Sequence, residues 1–149
     1  MLLTLTCDGS YCRFSKLGGY AFWISSDAGA FKNYGSLPDC KNSCEAEMMA
    51  LGNALHYCRT HPQLKSCTKI IVNMDRIDVQ HILQGKGKKF KRNDRYKDIA
   101  KKVNRYFVGL DIEFRHVKAH TKDLSKPRAY VNDWVDKMAV KARKNQKKS

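Results

Sequence analysis

Four acidic side chains, Asp8, Glu47, Asp75 and Asp136, stand in positions that a folded chain rarely gives to a carboxylate. Asp8 closes the apolar run that begins at Leu2 and is followed by Gly9-Ser10, while Asp75 closes the β-branched run Thr68 to Met74 (TKIIVNM). Glu47 comes three residues after Cys44 and four before Leu51, inside the apolar stripe of a helix. Asp136, with Asn132 four residues before it, borders the stripe of Val131, Trp134, Val135, Met138 and Ala142. Each has an ordinary explanation: a turn residue for Asp8, a satisfied buried hydrogen bond for Glu47, a helix N-cap for Asp75 and a solvated flank for Asp136. Together they ask for a concentration of acids in a chain that has 14 of them against 29 Lys and Arg. Two carboxylates about 4–5 Å apart repel by roughly 3–4 kcal/mol at an effective dielectric of 20, so four require cations. Hard oxygen ligands suit Mg²⁺ or Mn²⁺. Two such ions, roughly 3.5–4 Å apart, cleave phosphodiesters by activating water on one side and stabilising the leaving oxygen on the other.

The elements that would carry these acids follow from the pattern. Residues 2–8 and 18–26 read as strands, with a third inside 30–36 after the turn signal Asp27-Ala28-Gly29. From Ser43, taken as the N-cap, to Arg59 the period becomes helical, with apolar residues at 44, 48, 51, 55 and 58. On that wheel Glu45 falls with Gly52 and His56 and reads as solvated. Residues 68–74 and 111–118 read as further strands, and 77–84, 94–107 and 129–143 as helices, the last entered after Pro127. Gly85 to Arg95 (GKGKKFKRNDR) reads as a mobile basic loop. The order describes an α/β chain, a five-stranded mixed sheet of three antiparallel strands and two more, flanked by helices. Residues 1–142 make one domain, and 143–149 a basic tail expected to be disordered.

The formal charge of +15 points to a polyanionic partner, with nucleic acid or an acidic membrane surface the two candidates. No apolar run reaches the roughly 18–20 residues of a membrane span, and the apolar start lacks the basic flank of a signal peptide. The expectation is an intracellular, cytoplasmic protein. Its six cysteines contain no C-x2-C pair and read as reduced thiols; a site from Cys40, Cys44 and a histidine has no support.

Taken in order, the motifs resemble those of the type 1 ribonucleases H. CDGS, Cys7 to Ser10, is similar to the family's first-strand metal motif, and GGYAFWI has the spacing of its second strand. AEMMALGNAL resembles the first-helix motif and selects Glu47; IVNMD resembles the fourth strand and selects Asp75. HVKAH is similar to the segment with the catalytic-loop histidine and selects His120, which otherwise reads as a surface residue; His116 reads as structural. NDWVDKMAVKA resembles the last helix and selects Asp136, with Asn132 a turn earlier. The resemblance runs from about residue 4 to 142 and implies a ribonuclease H-like fold. It implies that Asp8, Glu47, Asp75 and Asp136 hold two Mg²⁺ ions (Mn²⁺ being the alternative). It further implies cleavage of the RNA strand of an RNA–DNA hybrid to 5′-phosphate and 3′-hydroxyl ends, with His120 handling a proton or assisting product release. A monomer is expected.

Departures from the family pattern concern the grip on substrate. The loop after Asp8 reads YCRFSKL, Asp75 is followed by Arg76 and Ile77, and KNSC at 41–44 is out of the usual register. The segment between His120 and Asn132 is longer than usual. Candidate nucleic-acid contacts are Gly9, Ser10, Asn42, Ser43, Arg76, Lys88, Lys89, Lys91, Arg92 and Asn132, with Phe90 and Tyr96 interleaved among the cations. Two other functions compete: a nuclease of the same superfamily with another nucleic-acid substrate, and a catalytically silent nucleic-acid-binding domain. Four acids facing phosphate would serve no pure binder.

Overall fold

The computed structural model describes residues 1–74, 76–116 and 127–145. In chain order the elements are β1 (Leu2–Cys12), β2 (Leu17–Ser26), β3 (Gly29–Ser36), α1 (Ser43–Thr60) and β4 (Lys69–Met74). There follow α2 (Ile77–Leu83), α3 (Lys88–Arg92), α4 (Asp94–Arg105), β5 (Asp111–His116) and α5 (Pro127–Lys144). The five strands form one sheet in the order β3-β2-β1-β4-β5. The first three pair antiparallel, whereas β4 runs parallel to β1 and β5 parallel to β4. A parallel partner cannot be reached through a hairpin, so α1 provides the crossover between β1 and β4.

Alternation along the strands divides the side chains between the two sheet faces. Leu3, Leu5 and Cys7 of β1, Phe22 and Ile24 of β2 and Ile70, Val72 and Met74 of β4 join Met48, Leu51 and Leu55 of α1 in the main core. On the opposite face Ala21 is buried against Val135 and Ala139 of α5, with Trp23, Trp134 and Met138 packed around them. Because Thr6 pairs with Trp23, Asp8 with Ala21 and Ser10 with Gly19, these three β1 residues share the face that α5 covers.

Three local expectations change. Asp8 does not end its strand: β1 continues to Cys12 because β2 pairs with it as far as Leu17. The described β1–β4 ladder stops earlier, at Thr6–Asn73, so Asp8 lies where β1 leaves one neighbour and continues with the other. The N-cap of α1 is Asn42, not Ser43; its side chain accepts from the Glu45 amide at 2.8 Å. The basic segment is not all loop, because Lys88–Arg92 forms one short helix after Gly87, whose φ of 90° suits only glycine comfortably.

Candidate active site

Gly9 joins two of the candidate acids. A Cβ on it would collide with the Ala46 carbonyl and lie 2.6 Å from the Glu47 amide nitrogen. Only a residue without a side chain lets the β1 backbone approach α1 so closely, and that approach seats β1, one residue past Asp8, on the first turn of α1. Glu47 is 4% exposed there, a burial that a carboxylate tolerates only with compensating partners. Asp8 and Asp136 are each partly exposed, and the strand partner of Asp8, Ala21, is buried against the helix residues either side of Asp136. Gly19 serves the same purpose on β2, since a Cβ there would lie 2.5 Å from the Arg143 amide nitrogen of α5.

Asp75 and His120, both predicted site residues, lie outside the described residues, as does the side chain of Lys89. Among the described residues no group of three or more His, Cys, Asp and Glu is placed to hold a metal ion. Next to the position of Asp75, buried Asn73 donates to Thr6 Oγ1 at 3.4 Å, and its own Oδ1 has no hydrogen-bond partner among the described residues. Arg76 takes the N-cap position of α2 without a capping bond, so that position is not filled by Asp75. Its guanidinium instead grips Asp78 through Nε at 3.1 Å and Nη2 at 2.6 Å, and donates from Nη1 to Ser43 Oγ at 3.1 Å. The Asp78 hydrogen bond raises the Arg76 pKa, and the Glu47 charge adds to it. Two predicted nucleic-acid contacts, Ser43 and Arg76, thus meet at the α1 N-terminus.

The other predicted contacts are dispersed. Ser10 and Asn132 are half-buried on the α5 side of the sheet, Asn42 is engaged as a helix cap, and Lys88, Lys91 and Arg92 are exposed on α3. Glu45 corrects the wheel. Rather than solvated it is 1% exposed, accepting from Arg95 Nε at 2.8 Å and from the Lys41 amide at 3.1 Å. Helix α4 crosses this end of α1 and brings Arg95 with it, a long-range contact that periodicity within α1 cannot reveal. The Asn42-x-x-Glu45 spacing was the one available local signal, that of a helix start whose third residue reaches back.

The RNase H family model matches residues 2–144. The chain belongs to the RNase H family. Among solved structures it is similar to an RNase H1 from the halophilic archaeon Halobacterium salinarum, at 17% identity and a TM-score of 0.76 over 98% of this chain and 100% of that one. It is also similar to the N-terminal RNase H domain of a Mycobacterium tuberculosis protein, at 15% identity and 0.74 over 96% and 94% of the two chains. An RNase H1 isolated from compost by a metagenomic approach gives 18% identity and 0.68 over 95% of each. No curated protein sequence matches the chain. Family and fold make it a ribonuclease H, an endonuclease of the hydrolase class. Among the described residues no helix is long and apolar enough to cross a membrane.

Proposed function

We propose that this RNase H family member cuts the RNA strand of RNA–DNA hybrids with two Mg²⁺ ions held by Asp8, Glu47, Asp75 and Asp136. The observation that carries the reading is the seating of Gly9, the residue after Asp8, on the Ala46 and Glu47 backbone of the helix turn that holds a buried glutamate. Carboxylates alone are a hard-oxygen donor set that suits Mg²⁺ or Mn²⁺. When bound, the ions supply a water of lowered pKa and neutralise charge on the leaving oxygen. The chain's own residues do the rest. Arg76, fixed by Asp78, and Ser43 hold a phosphate of the bound strand near the α1 N-terminus. His120 takes or returns a proton as the product strand leaves.

The test is cleavage of labelled RNA–DNA, RNA–RNA, DNA–DNA and single-stranded RNA with Mg²⁺, beside Asp8→Asn and Asp75→Asn. Wild type should cut only the RNA of the hybrid, and each variant should lose about a hundredfold or more. Ions at about 100 times their Kd should also stabilise the fold by about 2.7 kcal/mol, a Tm rise of roughly 5–10 °C for a chain of this size. Asp8→Asn should lose most of that rise. Mutant-sensitive cutting of another duplex would keep the site and overturn the substrate, and no mutant-sensitive cutting would leave a binding domain.

A further inference from the structure

Both tryptophans of the chain, Trp23 and Trp134, sit in one patch, where α5 lies over β2 and the edge strand β3. The rings form a chain of edge contacts: Tyr130 to Trp23 at 5.8 Å, Trp23 to Trp134 at 5.5 Å and Trp134 to Tyr34 at 6.4 Å. Among the described residues Ala21, Val135 and Ala139 are buried beneath them, while Tyr34 is 40% and Tyr130 51% exposed. Cations are held at ring level. Lys32 Nζ lies 4.6 Å from the Trp23 centroid and 5.3 Å from that of Trp134, and Lys141 Nζ lies 5.9 Å from Tyr34. On α5, Tyr130, Trp134 and Lys141 are spaced by four and seven residues and share one flank, whereas Asn132 and Asp136 lie on the other. Strands β2 and β3 carry no acid at all, and Asp133 of α5 is engaged by Lys137 at 2.9 Å.

Packing α5 onto the sheet requires the buried alanines and the tryptophan bodies. It does not require two exposed tyrosines and two lysines poised over rings on the same surface. We propose that this patch binds single-stranded nucleic acid, with bases stacking on Tyr34 and Tyr130 and phosphates meeting Lys32 and Lys141. Stacking on exposed rings with cations alongside is how sequence-tolerant single-strand sites are built. A duplex keeps its bases stacked on one another, so its base faces are not available to these rings. The patch lies across α5 from the candidate active site and would hold a single strand flanking the hybrid rather than the hybrid itself.

Because both tryptophans lie here, intrinsic fluorescence reports the patch directly. Oligodeoxythymidylate of roughly ten nucleotides, a length within single-strand site sizes, should quench wild-type emission. The double variant Tyr34→Ala/Tyr130→Ala should bind it at least about fivefold more weakly while cutting a blunt hybrid at the wild-type rate. Independently, Lys32→Ala/Lys141→Ala should lower the slope of log affinity against log salt by about 1.4, a readout that stands even where the tyrosine variant folds poorly. Absence of quenching, quenching that both variants retain, or equal quenching by polyglutamate would overturn the proposal. Equal quenching by a blunt hybrid would also overturn it, by making the patch part of the duplex path.

Discussion

Cys12 shows how one side chain's surroundings set its chemistry. It ends β1, and its carbonyl accepts the Lys16 amide at 2.7 Å as the chain turns back into β2. Hydrogen bonding from the Ser15 side chain, joined by backbone donors and by the Arg143 charge, pulls its thiol from its ordinary value down to about 7. Burial acts the other way on Cys40 and Cys58, pushing them up to about 11 and about 12. None of the six cysteines forms a disulfide, yet the thiolate is the reactive form, so reactivity should separate them. Cys12 should be alkylated by iodoacetamide with a midpoint near pH 7, at about a tenth of its plateau rate one unit lower, because ionisation rises with pH through the pKa. Cys40 and Cys58 should stay unlabelled up to pH 9. Peptide mass spectrometry of alkylated protein reads this site by site, and a Cys12 midpoint near 9 would mean that the Ser15 bond does not hold in solution.

At the scale of elements, the contact between α1 and α4 turns on Glu45 and Arg95. Their ion pair is 2% exposed on the glutamate side and 37% on the arginine side. Arg95 also donates to the Asp39 carbonyl and lies 3.7 Å from the Asp39 carboxylate, so one guanidinium ties α4 to the segment leading into Asn42 and Ser43. Removing one partner of a fully buried pair costs about 3–5 kcal/mol. Water reaches Arg95, so Arg95→Ala should cost about 1–3 kcal/mol in urea unfolding. Added to Glu45→Gln it should cost less than the sum of the single changes, and strictly additive changes would mean that the two helices are held by apolar packing alone. This junction was illegible in the sequence because its partners lie fifty residues apart. The strands, α1 and the inward position of Glu47 were legible because period and turn chemistry are local properties. The reach of β1 past Asp8 was not, since it depends on how far β2 and β4 each extend beside it. Gly87 suggested a loop before Lys88, but a positive φ at a helix start is equally served by glycine, and α3 follows it.

For the molecule as a whole, an excess of 15 positive charges sets up a field that attracts any polyanion, and arrangement rather than amount must give selectivity. Of the acids proposed to hold metal, Glu47 is carried by α1 and Asp136 by the flank of α5 away from Tyr130 and Trp134. Exposed cations stand on α3, at Lys88, Lys91 and Arg92, and again beyond the far flank of α5, at Lys32 and Lys141. If α3 holds the duplex, each phosphate contact contributes about 0.9 to the slope of log affinity against log salt. Lys88→Ala/Lys91→Ala/Arg92→Ala should then flatten the slope for a blunt hybrid by about 2.7. The change at Lys32 and Lys141 should leave the duplex slope where it was. Fluorescence anisotropy of a labelled hybrid across a salt series measures both. An unchanged slope in the α3 variant would return that helix to a solvated charged face. A shared loss in both variants would merge the two basic regions into one path around α5, and the selectivity for a single strand would then have no separate surface to rest on.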